Sequence, residues 1–329
     1  MKAAPPTVSP TASPTPSLPP VIDAATAAAL ATAGPTPVPA GGPTPVPAAA
    51  PTPVPAGAVV FCDVRWYLDG RSGHDAYLAG HIPGAVFVDL DRHLAAEPSP
   101  EQGRHPLPSA AAFAASLGEL GISEHDAVIA YDDSGGMSAG RLVWMLRVLG
   151  AEAALLDGGP AACDDELAAG PTVRPATTCA VREWPTAALA DADTTGTAGE
   201  LGAAVVIDAR AAERYRGDVE PMDARPGHIP GAVNLPWNGN LDAAGRFLSP
   251  ELLRERFAGI GVGSGAGEGE SAAAPIVYCG SGVSACHNLL ALERAGLAAA
   301  GTAAAGPARL YPGSWSQWSA QPDRPAAVG

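Results

Sequence analysis

The chain has 329 residues, enough for about two domains of ordinary size. Its 19 Lys and Arg against 34 Asp and Glu leave a net charge of −15, so the cationic surface that a nucleic acid or an anionic membrane would need is missing. Hydrophobic residues make up 47% of the sequence, sufficient for a sizeable core, while 39 Gly and 35 Pro exceed what compact domains carry and point to linker-like segments.

The first residues, MKAAPPTVSPTASPTPSLPP, are broken by proline before the roughly 7 to 15 apolar residues of a secretory signal could form. No run of about 18 apolar residues suggests a membrane span. Residues 1–17 are expected to be a disordered tail, and the protein is expected in the cytoplasm. VIDAATAAALATAG then predicts a short Ala-rich helix, capped by Asp23 and ending near Gly34, that belongs to the first domain. PTPVPA starts at residues 35, 43 and 51. Proline fixes φ and removes the N–H there, so residues 35–56 read as an extended insertion with no assigned function.

An internal repeat organises the rest of the chain. AGHIPGAVFVDLD, with His81, and PGHIPGAVNLPWN, with His228, share a hexapeptide 147 positions apart, and VIAYD, ending at Asp132, stands 147 positions before PIVYC, ending at Cys279. FCDVR around Asp63 and VIDAR around Asp208 add a third pair in the same order. The chain therefore holds two copies of one domain. Each copy alternates apolar runs with helical patterns, which predicts an α/β fold with a mainly parallel sheet. The expected division is an N-terminal domain over 18–165, a linker over 166–194 and a C-terminal domain over 195–329. Within the latter, GVGSGAGEGESAAA over 261–274 reads as a flexible loop.

The segment PIVYCGSGVSACHNLLALERAG runs from a buried-strand pattern through a Gly/Ser loop into a helix with Ala285, Leu289 and Leu292 on one face. Cys279 therefore sits where a strand turns toward a helix N-terminus. Backbone N–H groups and the positive end of the helix dipole favour its thiolate, the form that attacks. Gly280 and Gly282 permit a close loop, and the small Ser281, Ser284 and Ala285 leave room for a substrate. The first copy carries Asp132 at the matching position, so one copy is catalytic and the other silent.

HIPGAV twice, CGSGVSAC and the closing RLYPGSWSQW together resemble the rhodanese superfamily, in its tandem two-domain sulfurtransferase form acting on thiosulfate or 3-mercaptopyruvate. The resemblance implies two rhodanese-like domains, each a mainly parallel sheet flanked by helices. It implies a small-molecule sulfur donor, a persulfide on Cys279, and transfer to cyanide or to a thiol on a small molecule or a thioredoxin-like protein. No metal or organic cofactor is implied. Thiosulfate-preferring members carry two cations after the cysteine, in a Cys-Arg-Lys-Gly loop. Gly280 and Ser281 stand there here, which resembles the mercaptopyruvate type.

The resemblance also implies supporting residues. Arg214 matches an arginine that binds the charged end of the donor, and Arg225, just before PGHIPG, approximates a second. A guanidinium fork suits an α-keto acid carboxylate. Gly280, Gly282, Val283, Ser284 and Ala285 complete the loop around the substrate. Members of the mercaptopyruvate type pair the serine two residues after the cysteine, here Ser281, with a histidine and a carboxylate, for which His105 and Asp91 are the matches. A histidine so oriented can polarise Ser281 or manage a proton. Because His81 recurs in the silent copy, His81 and His228 are expected to share a structural task, as are Arg65 and Arg210.

Three other readings compete. A phosphatase would need arginine as the sixth residue after Cys279, where Ala285 stands. The silent copy would suit a docking module. A redox sensor would pair Cys279 with Cys286, two helical turns further on, although a packed small hydrophobe is the plainer reading of Cys286.

Overall fold

The computed structural model describes residues 17–33, 57–163, 166–263, 273–298 and 308–329. The expectations for the tail before residue 17, the proline-rich insertion and most of the loop over 261–274 fall outside the described residues.

The first domain runs β1 (Val21–Ile22), α1 (Ala24–Ala33), β2 (Val59–Asp63), α2 (Gly73–Ala79), β3 (Val86–Phe87), α3 (Leu90–His93), α4 (Ala110–Glu119), β4 (Ala127–Tyr131), α5 (Ala139–Val148) and β5 (Ala153–Leu156). The second runs α6 (Ala192–Leu201), β6 (Val206–Asp208), α7 (Ala212–Arg216), β7 (Val233–Asn234), α8 (Pro250–Ala258), β8 (Ile276–Tyr278), α9 (Ser284–Arg294), β9 (Arg309–Leu310) and α10 (Ser314–Ala320). Both sheets are parallel, in the orders β1-β5-β4-β2-β3 and β7-β6-β8-β9. Parallel strands are covered on both faces, which is why AVIAY in β4 and IVY in β8 are uninterrupted apolar runs, buried throughout.

Local chemistry sets the helix starts. Thr26 N–H donates to Asp23 Oδ1 at 2.8 Å, the cap expected for α1, and serines cap α2, α4 and α8 in the same way. The repeat is visible atom by atom. Arg65 and Arg210 each clamp the aspartate two residues before them and donate at 2.6 Å to the carbonyls of Gly80 and Gly227. His81 and His228 are buried, stack on Tyr77 and Tyr215, and bond those tyrosines' carbonyls through Nδ1. Structural work in the turn accounts for all of it.

Contacts to the second sheet begin ahead of residue 195. Leu189 bridges to Leu310, Ala190 N–H donates to Leu310 O at 2.8 Å, and α6 opens at Ala192 behind its cap Asp191. At the other end of the expected linker, Ala168 pairs with His81 and stays on the first domain. The two domains share one core. Leu142 and Leu146 of α5, Val60 of β2, Val277 of β8 and Leu289 and Leu290 of α9 belong to a single buried cluster. α5 and α9 pack at Gly140, where a Cβ would meet the His287 backbone at ordinary contact, 3.6 Å. Among the described residues no helix is long and apolar enough to cross a membrane.

Candidate active site between the domains

Cys279 follows β8 directly and is 2% exposed. Its carbonyl accepts from Trp315 N–H at 3.0 Å, and Gly280 O accepts from Ser316 N–H at 2.8 Å, so the start of α10 clamps the cysteine backbone. Ser314 completes the clamp, with its Oγ 3.2 Å from Cys279 N and donating to Tyr311 O at 2.9 Å. Ser314 has φ 52°, the left-handed region that favours glycine, and no other non-glycine residue among those described does. Strain of this kind is retained where the surrounding contacts over-determine it. Gly282 also needs its φ of 76°, and a Cβ there would lie 2.7 Å from Pro312 O.

From Gly280 to Ala285 the backbone N–H groups find no acceptor among the described residues, and α9 begins without a side-chain cap. The first-domain copy of this loop shows what it can hold. There Asp132 fills it, its carboxylate accepting from the N–H groups of Ser134 and Gly136 at 2.8 Å and of Ser138 and Ala139 at 2.9 Å. The equivalent donors around Cys279 are those of Ser281, Val283, Ala285 and Cys286, the last of which turns to Val283 O. The second-domain loop thus has the form of an anion cradle whose side-chain occupant is a cysteine.

The first domain reaches into this site. His105 Nδ1 lies 2.7 Å from Ser281 Oγ and its Nε2 lies 3.0 Å from Asp91 Oδ1, while Asp91 Oδ2 accepts from Trp66 Nε1 at 3.1 Å. Trp66 also meets the His105 ring edge-on. Burial lowers the His105 pKa, and the hydrogen bond from His105 lowers that of Asp91. The pair is therefore a neutral imidazole against a carboxylate at neutral pH. A carboxylate only accepts, so Nε2 carries the proton and Nδ1 is left to accept from the Ser281 hydroxyl.

Two further arginines fix and charge the site. Arg141 of α5, fully buried, donates to Gly282 O at 3.0 Å, to Leu94 O at 3.0 and 3.1 Å and to His105 O at 2.9 Å, tying the histidine loop to the cysteine loop. No carboxylate pairs with it among the described residues. On the open side, a Cβ on Gly280 would stand 3.1 Å from Arg104 Nη2 and 3.5 Å from Arg214 Nη1. Asp223 joins these two, accepting from Arg214 Nη2 at 2.9 Å through one oxygen and from Arg104 Nη1 through the other. Arg214 Nη2 also donates to Glu220 at 2.7 Å.

The Rhodanese-like domain family matches residues 53–164 and again 195–321. The chain belongs to the rhodanese family. A Pseudomonas aeruginosa relative, provisionally named a 3-mercaptopyruvate sulfurtransferase, is 42% identical over 280 residues, covering 81% of this chain and 91% of its own. A Mycobacterium tuberculosis relative, provisionally named thiosulfate sulfurtransferase SseB, is 40% identical over 277 residues, covering 82% and 91%. The crystal structure of the 3-mercaptopyruvate sulfotransferase SseA from Escherichia coli aligns with a TM-score of 0.65 and 33% identity, over 78% of this chain and 93% of that one.

Within this rhodanese framework one expected binding residue is displaced. Arg225 does not face Cys279. Its guanidinium donates to the carbonyls of Ser319, Arg324 and Gln321 at 2.9 Å and of Trp318 at 3.2 Å, closing the end of α10. Carbonyl oxygens exposed where a helix ends attract such a fork. The second arginine beside the loop is instead Arg104, adjacent in sequence to His105. Cys286 is a packed thiol on α9, donating to Gly282 O at 3.3 Å, and burial pushes its pKa up to about 12. A thiol so protonated is poorly suited to redox sensing. Arg104, Arg141, Trp66 and Ser314 were not singled out by sequence reasoning. The one local signal among them is Arg141, a charge in the first turn of the otherwise largely apolar helix AGRLVWMLRV. Among the described residues no cluster of His, Cys, Asp and Glu could hold a metal.

Proposed function

We propose that the protein is a sulfurtransferase in which 3-mercaptopyruvate gives its sulfur to Cys279 and the resulting persulfide passes it on to cyanide or to a thiol. The observation that carries this reading is the hydrogen-bonded run Asp91–His105–Ser281, which meets the cysteine loop across the domain interface. Relatives named for this donor support it.

The Cys279 thiolate attacks the sulfur of the donor. The C–S bond breaks and its electron pair leaves on carbon as the enolate of pyruvate. The proton of the donor's S–H ends on that carbon, leaving pyruvate and a Cys279 persulfide anion. As the bond breaks, charge gathers on the enolate oxygen. The single Ser281 proton, resting on the neutral His105, turns to that oxygen. The persulfide anion then rests among the N–H groups around Cys279, the counterparts of those that hold the Asp132 carboxylate in the first domain. An acceptor nucleophile attacks the outer sulfur and releases the Cys279 thiolate, cyanide leaving as thiocyanate. Thiosulfate is a second donor, with sulfite as the leaving group, in keeping with the mycobacterial relative's name. A cysteine that must stay reduced between turnovers suits the cytoplasm, with a thioredoxin-like protein or a small thiol as acceptor.

The test is pyruvate release from 3-mercaptopyruvate with cyanide as acceptor, in wild type and His105→Ala. The variant is expected to lose about a hundredfold or more in kcat. Retention of the wild-type rate would remove the relay from the mechanism.

A further inference from the structure

We infer that Arg104, carried by the silent domain, is a donor-binding residue that fits the site to compact dianionic sulfur donors of the thiosulfate type. The inference rests on the transferase reading above.

The cysteine loop brings no cation of its own, since Gly280, Ser281 and Gly282 are uncharged. Charge comes from outside it. Arg104 Nη2 and Arg214 Nη1 converge on the space above Gly280, 3.1 and 3.5 Å from where a Cβ would stand, and glycine keeps that space open. Asp223 holds the two guanidiniums side by side by giving one oxygen to each. It does not use up their donors. Arg104 Nη2 faces Gly280, while its Nε is buried and, like Arg309 Nε, has no hydrogen-bond partner among the described residues.

Asp208, Glu220 and Asp223 lie against Arg210, Arg214 and Arg104, while Arg141 and Asp91 add one charge of each sign around the cysteine loop. Mercaptopyruvate presents one carboxylate, for which Arg214 Nη1 is available while Glu220 and Asp223 hold Nε and Nη2. A thiosulfate dianion crowds two charges onto one sulfonate end and gains from a second guanidinium beside the first. The first domain therefore widens the donor range as well as supplying His105 and Asp91.

The experiment compares kcat/KM for thiosulfate and for 3-mercaptopyruvate, with cyanide as acceptor, in wild type, Arg104→Gln and Arg104→Lys. Wild type is expected to use both donors. Arg104→Gln is expected to lose about tenfold or more with thiosulfate, mainly through KM, and under about threefold with 3-mercaptopyruvate. Arg104→Lys restores part of the thiosulfate loss by returning the charge without the fork. Added salt raises the thiosulfate KM of wild type more steeply than that of Arg104→Gln. Equal losses with both donors, or a wild type that uses 3-mercaptopyruvate and refuses thiosulfate, overturn the inference alone. A wild type inactive with both donors overturns the transferase reading as well.

Discussion

Acid should loosen the seam between the domains through His287. Its ring is fully buried and stacks on Phe247 at 4.3 Å between centroids. Nε2 lies 3.0 Å from the carbonyl of Gly135 in the other domain, and Nδ1 lies 3.2 Å from the Asn240 amide nitrogen, which can only donate. The neutral tautomer with its proton on Nε2 satisfies both, and a second proton would point at an N–H. Burial accordingly drops the pKa from 6.5 to about 3. An unfolded chain then binds a proton that the folded one refuses, so this stabilisation is complete above about pH 6.5 and is lost as pH falls toward 3. By about pH 5 the loss reaches 1.5 pH units at about 1.4 kcal/mol each, or about 2 kcal/mol. Urea unfolding at about pH 7.5 and about pH 5, in wild type and His287→Gln, isolates it. The depressed pKa values of His93 and His105 act in both proteins and cancel in the difference. Wild type is expected to lose about 2 kcal/mol more than the variant. Equal losses would refute the reasoning.

Arg225→Ala leaves four carbonyls at the end of α10 without their donor, and about 1–3 kcal/mol of stability should go with it, read as a lower unfolding midpoint. The KM for either donor should stay within about twofold, since the side chain does not face Cys279. A rise in KM at unchanged stability would return Arg225 to the binding site. Gly282→Ala sets a Cβ against Pro312 O at a positive φ. It should cost about 1–3 kcal/mol and slow persulfide loading, whereas loading at the wild-type rate would mean that the loop tolerates another shape.

The features legible in the sequence were those that the repeat and local chemistry encode. The apolar runs of β4 and β8 sit 147 positions apart and occupy equivalent places in two parallel sheets, and the glycine loop after Cys279 opens α9. Asp91, His105 and Ser281, matched by family spacing alone, lie in hydrogen-bond contact although 176 residues separate the last two. Long-range chemistry was less visible. Arg225 stands beside the right motif, yet the carbonyls that claim it belong to residues 93 to 99 positions later. Arg104 reaches Gly280 only because α5 and α9 bring two domains into one core. Residues ahead of 195 join the second sheet through a long-range contact of the same kind, the bridge between Leu189 and Leu310. The role of Asp132 as an internal anion emerges only once its oxygens are seen inside the loop.

The most direct test of the central claim is the intact mass of the reduced protein after brief exposure to 3-mercaptopyruvate or thiosulfate, and again after cyanide is added. Wild type should gain the mass of one sulfur atom and lose it to cyanide, and Cys279→Ser should gain none. Sulfur on the Cys279→Ser protein, or none on wild type with either donor, would contradict the assignment of Cys279 as the sulfur carrier.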